Sequence, residues 1–566
     1  MDGARQGGSG PSGRPGRGFA ALAAAGCALA AAVPGHALTL AAATNRVGRF
    51  ETIEFRLDPQ AAYTNAFDPA EVDLRLEVRG PGGGVTVVPA FWRVPHALRA
   101  PAPGERRRER IEPDGPPGWR ARYAPPETGR HRALARLRDR RGEAASAEVD
   151  FEAVASTNRG YVRVSKRDPR FFELDDGSPF FAIGQDVAFI GPMQHVTPGR
   201  VGGVFRRMAE NGANYARIWT CCGDWAMCLE PGRGGAGPSD GRPRPPPPPD
   251  APRGMGVYNQ PDAAILDRVV AGAETAGIRL QLCILTRDRY MGRLKQPDGP
   301  DYAAAIRDAK NLLRYAVARW GASTAVAAWE YWNEQDPGLP AGRFYKEMGD
   351  YLAEVDPYRH LRSTSAWGPA PKDWAHPALD VADLHWYLRP NWNELWKDAA
   401  AAVADRAALL RSHAPARPAL LSEFGLADEK WGLSPLMKQD RDLLHFHDAL
   451  WASALSGLSG TAMFWWWERL DEMDGYRHYR PLADFVAGIP WTTGGLRSLD
   501  AAVAPAPRLR VAGLQGADRA WAWLSDADAA WWNVVVDGRP PREVRDATLA
   551  IRSEERRVGK ECRSRW

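Results

Sequence analysis

"AAILDRVVAGAETAGIRLQLCIL", residues 263–285, decides the fold. Its first part, 263–277, has helical apolar spacing, and its second, 278–285, is a short apolar strand. The same alternation recurs from about 160 to 490. Strands are predicted near 180–189, 213–220 ("ANYARIWT"), 278–285, 325–332, 361–367, 382–388 ("ADLHWYL"), 418–424 ("PALLSEF") and 460–467 ("GTAMFWWW"), with helical patterns between most of them. Strands alternating with helices are the signature of β/α units on a parallel sheet. Eight strands across roughly 300 residues predict an α/β fold closed as a (β/α)8 TIM barrel over an open doubly wound sheet. The connection 368–381 is short and Pro-rich, a poor helix.

The flanks have a different rhythm. Residues 38–155 alternate in strand fashion, as in "RFETIEFRLD" (49–58) and "EVDLRLEVRG" (71–80), broken by "PGGG" and "PPG". That pattern predicts a small N-terminal β-sandwich, Ig-like in kind. The chain again alternates like β-structure over 491–551, which predicts a partial C-terminal β-domain. The last stretch, "RSEERRVGKECRSRW" (552–566), has no strand period and no apolar face, and is expected to be a non-native tail. "PGRGGAGPSDGRPRPPPPPDAPRG" (231–254) is a low-complexity insertion, expected to be extended.

Charge placement excludes one class of function. The net charge is +5, but 552–566 carries about +3 of it and 1–37 about +2. The rest is near neutral, without the concentrated basic surface a nucleic-acid groove requires. "GERRRER" (104–110) is a local cluster expected in a solvated loop. Arg14 and Arg17 precede the apolar run "FAALAAAGCALAAAV" (19–33) and the small residues "PGHA", so 1–37 is expected to be a signal peptide for a secreted or periplasmic protein. Acylation at Cys27 is the minor alternative. No later segment is long and apolar enough for stable membrane insertion. Between signal and tail lie Cys221, Cys222, Cys228 and Cys283. Export allows one disulfide, with Cys221 or Cys222 clipped to Cys228. A zinc site is not expected, because no paired C-x-x-C stands near a His.

In "AAWEYWNEQDP" (327–337) an apolar, aromatic-rich strand ends on Asn333-Glu334. In a parallel barrel, catalytic groups project from the C-terminal strand ends, where Glu334 closes the fourth strand and Glu423 of "LLSEFG" closes the seventh. Two carboxylates across one cleft are what glycosidic bond cleavage needs: one protonates the leaving oxygen, the other attacks the anomeric carbon or activates water. Asn333 can bond a sugar hydroxyl beside the scissile bond.

"WEYWNE" followed by "LLSEFG" resembles clan A of the glycoside hydrolases, retaining (β/α)8 enzymes of the cellulase/mannanase type. The resemblance covers about 160–490, and a small β-domain of unknown role precedes many such barrels. It implies Glu334 as acid/base, protonated at the start, and Glu423 as an ionised nucleophile. It implies that Arg217 of "GANYARIW" holds the nucleophile ionised, and that His385 and Tyr387 of "HWY" contact sugar or nucleophile. One of Trp465, Trp466 and Trp467 then matches the platform under the sugar, the choice among them staying open. The implied partner is a polysaccharide or oligosaccharide, with no cofactor and no metal.

Structural readings stand beside these. Glu330 shares strand parity with Glu334 and is expected to be a buried partner of an Arg. Arg217 can be a plain salt bridge, His385 a satisfied core histidine, and most of the 23 Trp core filling. His445 and His447 ("HFH") are expected on a helix surface. A non-catalytic carbohydrate-binding barrel and a transglycosylase are the competing functions.

Overall fold

The structure, a computed structural model, describes residues 37–101, 109–223, 226–230, 255–391, 394–506 and 508–552. The signal-like segment with Cys27, the 231–254 insertion, most of the basic run at 104–110 and the tail beyond 552 lie outside these residues.

Near the N-terminus, strands Thr39–Ala42, Ile53–Asp58, Gly118–Tyr123 and Phe91–Arg93 form one sheet. The second sheet runs Arg46–Gly48, Val149–Val154, Gly129–Asp139, Val72–Arg79, Val85–Pro89. Alternating apolar residues give each sheet one buried face, and Phe55, Leu74, Leu76, Trp119, Leu137 and Phe151 meet in a shared core.

The central region is mixed α/β. A five-stranded parallel sheet is built from β1 (Gly184–Asp186), β2 (Tyr215–Trp219), β3 (Arg279–Cys283), β4 (Val326–Glu330) and β5 (Leu361–Ser363). A parallel pair follows, β6 (Ala382–Leu388) with β7 (Ala419–Leu426). The His385 N–H donates to the Ala366 carbonyl at 2.9 Å, and Phe424 N–H to Met463 at 2.7 Å. The Asp186 N–H donates to Phe464 at 3.2 Å. Three expected strands are shorter than predicted, and of 361–367 only Leu361–Ser363 is formed. At 460–467 there are only parallel bridges, such as Gln185↔Phe464 and Phe424↔Phe464, because a helix starts at Trp467. At 180–189 the Pro179–Phe180 end joins a separate antiparallel sheet, leaving three residues to β1.

Helices connect the strands. Gln260–Ala276 shows why: the Asn259 side chain caps its start, Gly277 at φ 74° ends it, and Ile265, Leu266, Val269, Val270 and Ala273 form its buried stripe. Between β5 and β6 only the turn Pro371–Trp374 is helical, as the Pro-rich connection predicts. Beyond 496, Arg497–Ser498, Leu509–Gln515 and Ala520–Asp526 form an antiparallel sheet whose Trp523 stacks on Trp451 at 6.4 Å.

One expectation fails here, and one question left open is answered. His445 does lie on a helix, Leu444–Leu455, but it is fully buried, its Nδ1 bonded to Asp440 at 2.5 Å, because the helix turns that residue towards Phe464 and Trp531. The clip to Cys228 is not formed: all four described cysteines are free thiols, and Cys228 Sγ donates instead to the Glu230 carbonyl.

One charge cluster joins the sandwich to the parallel region. Asp267 accepts from Arg319 Nε and Nη2, at 3.1 and 2.7 Å, and from Trp320 Nε1 at 2.9 Å. Arg122 of the sandwich donates to it at 3.2 Å and to the Arg319 carbonyl. Burial pushes the Asp267 carboxyl up, but the two guanidinium groups outweigh it and hold the carboxyl well below the usual range. Asp267→Ala leaves the buried Arg319 guanidinium without a carboxylate, while Arg122 keeps Glu54 at 2.9 Å, and should cost about 3–5 kcal/mol in denaturant unfolding. Because the folded carboxyl is depressed, its contribution is present above the unfolded value and lost as pH falls through the folded one. The wild type should therefore lose more stability than Asp267→Ala on acidification, and parallel profiles would exclude this role.

Candidate active site

β2 brings Arg217 into the interior with no exposed surface. Its Nε and Nη2 donate to the two oxygens of Glu330, both at 2.7 Å. Nη1 donates to Glu423 Oε1 at 2.7 Å and to Asp186 Oδ1 at 3.2 Å, and Nη2 also to Asn333 Oδ1 at 2.8 Å. A guanidinium carries five N–H groups, and five bonds use them all. Arg217 is thus neither a plain salt bridge nor a partner of Glu423 alone. Glu330 is the buried arginine partner its parity predicts.

Glu334 lies four residues past Glu330. Its backbone adopts φ 52°, a left-handed conformation uncommon for a residue with a Cβ. Two bonds hold it there: its N–H donates to Ser365 Oγ at 3.0 Å, and Arg287 Nε donates to its carbonyl at 2.8 Å. Strain of this kind, about 1–3 kcal/mol, persists only where the surroundings over-determine it.

Glu423 reaches the same point from β7. The register between β6 and β7 slips after Asp383↔Leu420 and resumes at His385↔Glu423. The irregularity turns both Ser422 and Glu423 towards His385. His385 Nε2 lies 3.1 Å from Ser422 Oγ, and Nδ1 lies 3.0 Å from Glu334 Oε1 and 3.2 Å from Glu423 Oε2. A protonated Nδ1 thus donates to Glu334 and sets its charge beside Glu423. The Tyr387 hydroxyl donates to Glu423 Oε2 at 2.6 Å.

Of the three tryptophans, Trp465 shares strand parity with Met463, whose side chain joins the inner cluster of Tyr215, Ala328 and Leu420. Phe464, of opposite parity, packs outward on Phe446. Trp465 is only half-buried, packed edge-on to Phe189 and against Trp219. Trp466 packs on the Tyr387 ring at 5.6 Å, and Trp467 is buried against Phe189. The structure therefore brings together Arg217, Asn333, Glu334, His385, Tyr387 and Glu423, while Trp466 and Trp467 are buried.

Electrostatics follow from burial and His385. Burial pushes the Glu423 carboxyl above its ordinary value, and the opposing pull of His385 and Arg217 does not cancel it. Burial also pushes Glu334 up, but the His385 bond and charge, then Arg217 and Arg287, bring it below its ordinary value. The order is the reverse of the one expected for a protonated Glu334 and an ionised Glu423. The difference is solvent: the Glu334 side chain is 32% exposed and the Glu423 side chain 4%. Burial drives Asp186, beside Arg217, well above the carboxylate range. Glu330 is pushed up by burial and brought below its ordinary value chiefly by Arg217.

Glu334, His385 and Glu423 offer three potential metal-ligand atoms within 4.8 Å of one another. Those atoms already satisfy each other, and Arg217 opposes a further cation beside Glu423. A separate cavity of about 920 Å³ opens at the N-terminal ends of the strands. Within its lining Arg163 pairs with Asp175, Arg362 with Asp380 and His360 with Asp356.

Sequence reasoning missed Asp186, Gln281, Ser365, Asp383 and Ser422. Gln281 Nε2 bonds Glu330 at 3.0 Å and Asp383 at 2.9 Å, and Ser365 Oγ donates to Glu330 at 2.8 Å. A polar residue at inward parity inside an apolar strand, as in "LQL" (280–282), is the signal that could have found them.

His385 tests the cluster directly. Burial lowers its imidazole pKa, but the Glu423 charge and then the Glu334 bond raise it above the ordinary value of about 6.5. An NMR titration should show a raised imidazole that falls in Glu423→Gln and, by less, in Glu334→Gln. Stability contributed by protonated His385 is present below the unfolded value and lost as pH rises through the folded one. An imidazole unmoved by Glu423→Gln would exclude this arrangement.

No family model and no curated protein matches the chain. Among solved structures it is similar to a Bacteroides vulgatus protein described as a candidate glycoside hydrolase, with TM-score 0.51 and 15% identity over 75% of this chain and 72% of that one. It is also similar to a glycoside hydrolase family 5 protein from Bacteroides vulgatus (0.45, 13%, 64% and 80%). A third is a Lactobacillus rhamnosus β-glucuronidase (0.37, 14%, 76% and 60%). These structural neighbours are glycoside hydrolases; at such identities the first likeness shows the fold alone, and the other two carry no argument.

Proposed function

We propose that the protein is a retaining β-glycoside hydrolase of the clan A kind, built on a closed (β/α)8 barrel. One observation carries the reading: Glu334 and Glu423, from beyond β4 and within β7, present oxygens within 4.8 Å of each other at a shared His385. Retaining enzymes need carboxyls ~5–5.5 Å apart, whereas inverting enzymes leave room for a water between more distant ones. Closure of the barrel is supported by main-chain bonds from 460–464 to both β7 and β1.

The chemistry runs in two steps. Glu423 attacks the anomeric carbon while Glu334 gives its proton to the leaving oxygen, forming a glycosyl-enzyme ester. Glu334, now a carboxylate, takes a proton from water, which displaces Glu423 and regenerates both groups. Arg217 and Tyr387 donate to Glu423 and favour its charged form, which leaves it a competent nucleophile. A bound sugar covers the exposed third of Glu334, and the lost water raises that carboxyl, moving the proton to the acid. The order seen in the free site then inverts as substrate enters.

A β-linked polysaccharide suits the surroundings. Trp367 and Trp431 are large apolar side chains left about half exposed, at 47% and 50%. Trp367 donates to Asp336 just past Glu334, and the Trp431 ring lies 6.2 Å from that of Tyr387. Flat indole faces on both sides of the carboxylates match the C–H faces of a sugar chain. Residues 1–37 fit export to a secreted or periplasmic location, where such polymers are met.

Purified protein assayed on β-glucan, mannan, xylan and galactan should release reducing ends from at least one. Glu423→Ala should abolish turnover. Glu334→Ala should lose about 10²–10⁴-fold on natural substrates and much less on aryl glycosides, whose leaving groups need no proton. Azide should rescue Glu334→Ala and give a β-azide. The opposite pattern would reverse the roles, and an α-azide would end the retaining assignment.

The pH profile separates Arg217 from mere support. Arg217 lowers the Glu423 carboxyl, so Arg217→Met should move the acidic limb of kcat/KM to higher pH. Arg217→Lys should do little better, since an ammonium cannot reproduce the fork. An unmoved limb with only a lower Tm would make Arg217 structural.

A further inference from the structure

Cys221 and Cys283 stand outside the carboxylate cluster and have no part in the chemistry above. Their Sγ atoms lie 3.5 Å apart, the Cys221 thiol aimed at that of Cys283. Cys283 ends β3, and Cys221 lies two residues past Trp219, the register partner of Cys283 at the end of β2. The Thr220 N–H and hydroxyl both donate to the Cys283 carbonyl, at 2.9 and 3.0 Å, and fix the two backbones side by side.

The other two thiols turn elsewhere. Cys228 Sγ donates to the Glu230 carbonyl at 2.9 Å and lies 3.7 Å from Thr286 Oγ1. Cys222 Sγ lies 3.9 Å from the Trp219 carbonyl. Cys221 and Cys228 do face each other across an antiparallel bridge, so backbone proximity alone would favour that pair. Side-chain direction selects Cys283 instead.

We propose that Cys221 and Cys283 form an oxidisable dithiol whose disulfide staples the C-terminal ends of β2 and β3. The oxidant is another disulfide, on a small molecule or a protein. The half-exposed Cys221, as thiolate, attacks one sulfur of it, making a mixed disulfide and releasing the first thiolate. Cys283 thiolate then attacks Cys221 Sγ, breaks the mixed bond and releases the second. Two electrons pass from the cysteines to the oxidant, and the two cysteine protons end on the released thiols. Reaching a bonded S–S distance of about 2.05 Å asks under ~2 Å of sulfur movement.

The staple has a place in the site's architecture. Cys283 is the register partner of Glu330, which holds two of the Arg217 nitrogens. Fixing β2 to β3 at that level ties the strand bearing Arg217 to the strand beside Glu330. Both thiols are raised: burial acts on Cys283, while for Cys221 the bond from its neighbour lowers the value and burial with the adjoining thiols overrides it. Thiolates therefore form sparingly at neutral pH, and oxidation should quicken as pH rises.

Peptide mapping tests the proposal on the full chain. The protein is incubated with oxidised glutathione, quenched in acid, denatured, alkylated and digested with trypsin without reduction. Cleavage places Cys221, Cys222 and Cys228 on peptide 218–233 and Cys283 on 280–287. The expected product joins these two peptides with loss of two hydrogens. It should persist in Cys222→Ser and Cys228→Ser and vanish in Cys221→Ser and Cys283→Ser. Oxidation should raise the wild-type Tm by several degrees relative to its reduced form, because the bond closes a long loop, and leave Cys283→Ser unmoved. A link confined within 218–233, or four alkylated cysteines from the folded oxidised protein, would overturn the assignment. Where a serine variant fails to fold, fragmentation of the wild-type cross-linked peptides locates the bond on Cys221 or on another cysteine and decides the same point.

Discussion

The site depends on one desolvated guanidinium. Arg217 is fully buried among Asp186, Glu330 and Glu423, with Asn333 closing its last donor. Burying a charge costs several kcal/mol unless every donor is satisfied by a partner of opposite sign. That demand fixes four elements at once: β1 supplies Asp186, β4 Glu330, the turn beyond it Asn333, and β7 Glu423. No one of these can shift far without stranding an N–H in an apolar interior. The parallel strands are therefore registered by a polar node as well as by their apolar layers.

A second arrangement grows on the first. With Glu330 occupied by Arg217, Glu334 is displaced into a left-handed turn, where Ser365 and Arg287 secure its backbone. The register slip in β6–β7 does the corresponding work opposite, presenting Ser422 and Glu423 together to His385. Irregular backbone thus appears on both sides of the one point where two carboxylates meet. Regular strands would have sent consecutive side chains to opposite faces.

Much of this was legible in the sequence, for identifiable reasons. Strand positions followed from apolar runs separated by helical spacing, and seven of the eight predicted stretches contain a parallel strand within a residue or two of the expected core. Glu334 and Glu423 stood out because ionisable residues closing apolar strands are costly there. What escaped was set by tertiary contact. Asp186, Gln281 and Asp383 resemble ordinary polar residues until three strands align them around Glu330. His445 looked like a surface residue because its helix is hydrophobic on more than one side. The choice among the three tryptophans needed strand parity, which the helix beginning at Trp467 obscures.

The charge balance explains why Glu423 is the harder of the two glutamates to charge in the free site. Arg217 faces three carboxylates and cannot neutralise them all. Glu330 takes two of its bonds and stays ionised, while Asp186, with one 3.2 Å bond and no solvent, is driven towards its neutral form. Glu423 keeps one guanidinium bond, the Tyr387 hydroxyl and a share of His385. Glu334 holds the other share of the imidazole and is partly exposed to solvent. The exposed carboxyl is therefore the easier one to charge while the cleft is open. That ordering depends on solvent and not on the covalent framework, so whatever excludes water from Glu334 reorders the pair without moving a strand. The node around Arg217 stays fixed, and the proton between the two glutamates is the part of the site left free to respond.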